Sequence, residues 1–286
     1  MSQIVYLNGS LMPRKKALIS AMDYGFLYGF GLFETMRAYS GQVFHLEHHT
    51  KRLAHSAELL GLPIRALTLK SAVMDTIRAN KLSEARIRIT VSIGEGGMPP
   101  DPNTCNNPTV LIVAEHYQPY PKQVYQKGFR AVISSMRCNS QSPLSKIKSA
   151  NYLESILARQ EARAAGVDES LFLNEKGLLA EASMSNIFLV SNGILRTPAE
   201  ESGILPGITR QIILELASQL GINALEQDIS LNELSQAEEA FLTNSLIEVM
   251  PLTEITDKPI GFGKPGPLTQ RLMTAYKKLV TPESSV

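Results

Sequence analysis

Cysteine is scarce: Cys105 and Cys138 are the only two in 286 residues. They allow at most one bridge, which excludes a disulfide framework, and no histidine cluster lies beside them to complete a zinc site. Net charge is equally sparse. Twenty-eight basic residues against 27 acidic ones leave +1, so no global field draws the chain to nucleic acid or to an anionic membrane. No apolar run is long enough to span a bilayer, and the first residues lack a basic stretch followed by an apolar core and a cleavage site. The expectation is a cytoplasmic protein. Internal repeats are absent, as is any tract of low hydrophobicity and high charge. Hydrophobic residues at 44% and charged residues at 19% describe a folded chain long enough for two modest cores.

The chain divides at Pro119-Tyr120-Pro121, where two prolines in three residues favour extended backbone. This predicts a first domain over 1–118, a linker over 119–125 and a larger second domain over 126–286. In the first, residues 4–7 read as a strand entering the Asn8-Gly9 turn, and 32–39 with 42–45 as a hairpin about Ser40-Gly41. Leu46, His49, Leu53, Ala57 and Leu60 recur at helical spacing until Gly61-Leu62-Pro63, and Leu69, Val73 and Ile77 mark a second helix. Strands are expected over 86–93 and 109–114, with a loop over 94–108 between them. In the second domain the pattern predicts strands over 129–134, 169–173, 186–190 and 239–243. Helices are expected over 151–165 and 209–220, closed by Gly166 and Gly221. Strands and helices mixed in both halves point to the α+β class.

Lys148 stands between a proline-containing polar loop and the helix expected from Asn151. A lysine at such a junction can reach into a cleft, where a desolvated amine loses its proton and becomes a Schiff-base nucleophile. The same position also suits a solvated surface lysine. Arg86 and Arg88, two apart on an expected strand, face one side of it and could anchor a carboxylate or simply face solvent. Three of the five histidines fall within 45–49, but no cysteine or carboxylate constellation accompanies them, so no metal site is expected.

The segment Lys148-Ser149-Ala150-Asn151-Tyr152-Leu153 resembles the cofactor-lysine motif of the class IV aminotransferases, the fold-type IV pyridoxal 5′-phosphate (PLP) enzymes. Further segments match in the family's order from Leu7-Asn8-Gly9 to Pro251. The resemblance implies a two-domain fold like that of the D-amino acid and branched-chain aminotransferases. It also implies a homodimer, an active site in an interdomain cleft, and a small amine or amino acid as substrate. Lys148 would carry PLP as a Schiff base. Glu181, in Leu179-Ala180-Glu181-Ala182-Ser183, matches the glutamate that keeps the pyridine nitrogen protonated and the ring an electron sink.

A phosphate dianion leaving water needs several donors. Arg52 matches the family's phosphate arginine. Gly207-Ile208-Thr209-Arg210 opens a helix, so the N–H groups of Ile208 and Thr209 and the threonine hydroxyl would face the anion. Ser245 matches a third contact. Arg210, His48 and His49 read as structural. Tyr152, four residues after the lysine, resembles a tyrosine that touches the cofactor's ring oxygen in some members, and helical spacing would put it on the Lys148 face. Thr35 and Arg37 match a stretch lining the substrate pocket, with Tyr28 nearby in sequence, and the resemblance favours Arg88 over Arg86 as carboxylate binder.

Two short segments narrow the expected reaction. Phe33-Glu34-Thr35-Met36-Arg37 and Thr243-Asn244-Ser245 stand where branched-chain aminotransferases carry Phe-Glu-Gly-Ile-Arg and Ser-Gly-Thr. Both are more similar to the 4-amino-4-deoxychorismate lyase branch, which releases pyruvate to form 4-aminobenzoate for folate. The expectation is therefore a lyase. The alternatives are a class IV aminotransferase using a branched-chain, D-amino acid or amine donor with a 2-oxo acid acceptor, and a non-catalytic PLP-binding relative.

Overall fold

Asn8 and Gly9, both at positive φ (46° and 95°), make the two-residue turn that suits the right-handed twist of a hairpin. They join β1 (Ile4–Leu7) to β2 (Ser10–Pro13). The computed structural model describes residues 2–64 and 66–281. Met1 and 282–286, at the outer ends of the two expected domains, lie outside the described residues, as does Arg65. The chain forms two compact units, one of Met1–Gln118 with Ile147–Asn151 and one of Pro119–Lys146 with Tyr152–Val286.

In the first unit, α1 (Tyr24–Tyr28), β3 (Gly31–Tyr39), β4 (Gln42–Val43), α2 (Leu46–Leu59), α3 (Ala66–Ala79), β5 (Ala85–Ser92) and β6 (Thr109–His116) follow the hairpin. Six strands pair in the order β2-β1-β6-β5-β3-β4, each pairing antiparallel. Alternation along the strands sorts their residues into two faces. Leu32, Met36, Ile87, Ile89 and Ile112 face α2 and α3 and pack with Leu53, Ala57, Val73 and Ile77 in one core. The opposite face carries Phe33, Thr35 and Arg37 of β3, in register with Thr90, Arg88 and Arg86 of β5.

Five residues from beyond the 118/119 break complete this unit. Ile147 enters its core, Ser149 bridges Leu32, the Phe33 N–H donates to the Lys148 carbonyl at 2.9 Å, and the Ala150 N–H donates to the Gly31 carbonyl at 2.8 Å. The expectation that the second domain carries the lysine is thereby corrected, because backbone pairing to β3 outweighs position along the chain. The expected linker is also shorter than 119–125: α4 (Lys122–Lys127) begins inside it and belongs to the second unit.

After α4 come β7 (Phe129–Cys138), α5 (Leu153–Ala164), β8 (Glu169–Asn174), β9 (Leu179–Ala182), β10 (Asn186–Ser191) and β11 (Ile194–Pro198). Then follow α6 (Ile208–Gln219), β12 (Ala224–Gln227), α7 (Leu231–Ser235), β13 (Glu239–Asn244), β14 (Glu248–Ile255), β15 (Lys258–Pro259) and α8 (Pro267–Val280). The sheet runs β12-β11-β10-β13-β14-β7-β8-β9, with β15 added to β14. It is mixed: β11 with β12, β14 with β7 and β7 with β8 are parallel. Its core is built from Phe129, Leu171, Ile187, Leu189, Leu242, Met250 and Leu252. On α6, Ile212, Ile213, Leu216 and Ala217 are buried at helical spacing, and Gly221 ends the run at φ +67°. Among the described residues no helix is long and apolar enough to cross a membrane.

Candidate active site

In the first unit, Lys148 is held by its backbone against β3 and its side chain is half-buried. Its Nζ lies 4.7 Å from the ring centroid of Phe33, and the Arg88 guanidinium carbon lies 3.9 Å from the same ring. Two cations thus share one buried aromatic, an attraction that grows as water is removed. Arg88 Nε also donates to Thr90 Oγ1 at 3.2 Å. Thr35, half-buried, stands opposite Arg88.

Arg37 is only 2% exposed, its guanidinium 4.3 Å from the Tyr39 ring centroid and 4.9 Å from that of Tyr117, with Glu84 at 3.9 Å. Arg86, exposed, forms an ion pair with its half-buried cross-strand neighbour Glu115; such surface pairs contribute little. Tyr28 closes α1, its ring edge-on to Tyr24 at 5.0 Å and its hydroxyl donating to Met98 Sδ at 3.1 Å. A signal that sequence reasoning missed fixes that short helix: buried Asp23 accepts from Gly25 N at 2.7 Å, Ser92 Oγ at 2.8 Å and Thr109 Oγ1 at 2.6 Å.

On the helix-covered face of the sheet lies a carboxylate that sequence reasoning also missed. Glu34 is fully buried. Arg52 Nε donates to its Oε1 and an Arg52 terminal nitrogen to its Oε2, both at 2.7 Å, while His49 Nδ1 lies 2.8 Å from Oε2. Burial alone would push this carboxyl up, but the charges and hydrogen bonds of Arg52 and His49 outweigh it and bring it down to about 2. Burial holds His49 below the usual imidazole range against the pull of Glu34, and the charges of Arg52 and Lys148 lower it further.

In the second unit, Glu181 lies on β9. Its Oε2 accepts from Asn186 Nδ2 at 3.0 Å and from Leu205 N at 3.2 Å. Asn186 Nδ2 also donates to the Leu205 carbonyl at 2.9 Å. Two residues on, Gly207 opens α6, which no side chain caps, so the first amides, those of Ile208 and Thr209 among them, keep the unsatisfied character of a helix start. Thr209 is buried and Ile208 half-buried. Arg210 is turned into the fold, donating to the Pro198 carbonyl at 2.9 Å and to Glu226 Oε2 at 2.6 Å.

Ser245, half-buried, sits in a turn shaped by Asn244, whose Oδ1 accepts from Leu246 N at 2.8 Å and Ile247 N at 2.9 Å. Asn244 Nδ2 donates to the Met184 carbonyl at 3.2 Å and to Ser185 Oγ at 2.9 Å, tying this turn to the one after Glu181. Thr243 Oγ1 is buried with no hydrogen-bond partner among the described residues. Tyr152 donates to the Ser183 carbonyl at 3.4 Å. It is the N-cap of α5, which starts two residues later than expected, so helical spacing does not relate it to Lys148. Burial, then the negative charges of Glu181 and Glu175, push the nearby Cys138 thiol up to about 12.

Residues 31–255 match the family model described as amino-transferase class IV. A relative from Methanocaldococcus jannaschii, whose name as a branched-chain-amino-acid aminotransferase is itself provisional, is 39% identical over 97% of this chain and 96% of its own. The aminodeoxychorismate lyase of Bacillus subtilis is 33% identical over 96% of this chain and 94% of its own. Among solved structures, the branched-chain amino acid aminotransferase of Escherichia coli superposes with a TM-score of 0.94, and so does a second enzyme of that name solved with pyridoxamine 5′-phosphate. Each is 32% identical and covers 100% of this chain, and the matches span 97% and 96% of their own chains.

Proposed function

Because this chain belongs to the class IV aminotransferase family and is a PLP-dependent enzyme of fold type IV, α+β in class, we propose that it is an aminotransferase. The proposed reaction moves the amino group of a branched-chain amino acid to a 2-oxo acid. The arrangement that carries this reading is the Phe33 ring with the Lys148 amine at 4.7 Å and the Arg88 guanidinium at 3.9 Å. An amine nucleophile, an apolar surface and a carboxylate anchor together are what an apolar amino acid requires. The names of the M. jannaschii and E. coli proteins support the same reaction over the expected lyase.

The residues present fit the cofactor. An uncapped helix start and the buried, unpartnered Thr243 hydroxyl suit an anion, and a Cβ at Gly207 would fall 1.9 Å from Asn186 Oδ1, so the backbone there stays bare. Bound PLP supplies an aldehyde and an electron-accepting ring. In the proposed assignment Lys148 would hold the aldehyde and supply the amine that moves the proton at the substrate carbon bearing nitrogen. Glu181, oriented by Asn186 and Leu205, would keep the ring nitrogen protonated. Arg52, Ile208, Thr209 and Ser245 would hold the phosphate, and Tyr152 would contact the ring oxygen. Arg88 binds the substrate carboxylate, with Thr35, Arg37 and Tyr28 shaping the pocket. Arg86, committed to Glu115, is the least suited of the proposed substrate residues. A homodimer and a cytoplasmic location, both expected from the sequence reading, are part of this proposal.

A lyase is the second reading. Its support is the hydroxyl of Thr35 opposite Arg88 on the sheet face that carries Phe33, the Asn244-shaped turn at Ser245, and the likeness to the B. subtilis lyase. The test is one panel with the PLP-loaded chain. Rapid glutamate formation from L-leucine and 2-oxoglutarate, without pyruvate from 4-amino-4-deoxychorismate, is the expected result; the reverse outcome overturns the aminotransferase in favour of the lyase.

A further inference from the structure

Glu34 is a full charge on the apolar side of a sheet, between Leu32 and Met36, facing a core built mainly from aliphatic side chains. Burying a carboxylate is costly unless it is paired, and a buried ion pair is seldom more stable than well-packed apolar residues of the same volume. Stability alone therefore does not account for it. What the pair provides is direction. Arginine is a long side chain with much rotamer freedom, yet Arg52 meets Glu34 side-on through two bonds of 2.7 Å. Two contacts on one rigid plane fix that plane, and with it the direction in which every other N–H of the guanidinium points.

His49, one turn before Arg52 on α2, fixes the carboxylate in turn. Its Nδ1 lies 2.8 Å from Glu34 Oε2, and both side chains are almost completely buried. A neutral imidazole with its proton on Nδ1 donates that bond and leaves the negative charge to Arg52. Lys148 is close enough for its charge to act on His49, so the cluster and the proposed cofactor amine share one neighbourhood of the first unit.

We propose that Glu34 is a positioning residue that, held by His49, aims the Arg52 guanidinium at the cofactor phosphate and so sets the enzyme's preference for a phosphorylated aldehyde. This rests on the reading of Arg52 as a phosphate ligand. PLP and pyridoxal present the same aldehyde to Lys148 and differ only in the phosphate, so the ratio of their dissociation constants isolates the phosphate contribution.

The experiment titrates the full-length apo chain with PLP and with pyridoxal by fluorescence, for the unaltered protein, Glu34→Gln and Arg52→Gln. Glutamine keeps the shape of Glu34 but turns one acceptor into a donor facing Arg52. The expected result is a fall of about tenfold or more in the PLP-over-pyridoxal preference for both variants, on the scale of one charge-assisted hydrogen bond, with pyridoxal affinity changed less than about threefold. Equal losses for both ligands in Glu34→Gln mean a merely structural role and overturn the proposal, as does an unchanged preference. If Arg52→Gln leaves the preference unchanged, the phosphate reading of Arg52 itself fails. Should Glu34→Gln not fold, Glu34→Asp, which keeps the charge and withdraws it by one methylene, decides by the same ratio.

Discussion

Asn186 and Glu181 are joined by one hydrogen bond, Nδ2 to Oε2 at 3.0 Å, and Leu205 closes the ring by donating to that Oε2 and accepting from that Nδ2. The carboxylate of β9 and the chain entering α6 are therefore one hydrogen-bonded unit. Asn186→Ala removes the shared donor, so the Leu205 carbonyl loses that bond and Glu181 Oε2 loses one of its two donors, keeping the Leu205 amide. A loss of about 1–3 kcal/mol is expected, read from urea midpoints of the variant against the unaltered chain.

Gly207 is needed for space rather than for backbone freedom. Its φ of −75° and ψ of 133° suit any residue, but a Cβ there would lie 1.9 Å from Asn186 Oδ1. Gly207→Ala pushes Asn186 away from Glu181 or shifts the start of α6. Affinity for PLP is expected to fall tenfold or more, the effect of about 1.4 kcal/mol. Combining it with Asn186→Ala should cost less than the two single changes added, because both disrupt the same contact.

Acid sensitivity should track Glu34. Its carboxyl is ordinarily half-protonated at 4.5 and, in the fold, at about 2. Between those values the unfolded chain binds the extra proton, so the pairing stabilises the fold fully above 4.5 and this contribution is lost as pH falls toward 2. The shift corresponds to roughly 3 kcal/mol. Denaturant midpoints at pH steps across that window should drop for the unaltered chain and drop less for Glu34→Gln.

Lys148→Ala should abolish the borohydride-fixed PLP adduct and reduce turnover by several orders of magnitude, since removing a covalent catalyst has that scale of effect. Mass spectrometry of the reduced unaltered protein should place the adduct on the peptide containing Lys148, with the label on Lys148 and not Lys146. Activity retained above ~1% in the variant would contradict the role given to this amine.

Helices α2, α3 and α6 were legible because a 3.6-residue apolar repeat, followed in α2 and α6 by a stopping glycine, is a local signal. Strand β5 was legible from alternation and β-branching, and β6 from a continuous apolar run. β9, which carries Glu181, was not: Leu-Ala-Glu-Ala favours helix in isolation, and it is a strand because Leu179 and Ala182 pair with Leu173 and Leu171 of β8. α8 has a proline at its start and was still overlooked. Asp23, Glu34, Asn186 and Asn244 act through partners that single residues do not reveal; Asn186 alone is 19 positions from Leu205.

Residue chemistry at short range was determined by the sequence alone: a lysine ahead of a helix, a glycine-opened helix suited to an anion, two arginines on one side of a strand, and a motif order that identifies the family. The tertiary structure alone decided that Ile147–Asn151 joins the first unit, that Arg52 leans on Glu34, and that Arg86 and Arg88 have different partners. The reason is physical. Motifs depend on neighbours along the chain, whereas the hydrogen bonds that aim a side chain are made by strands and helices that meet only when the cores pack.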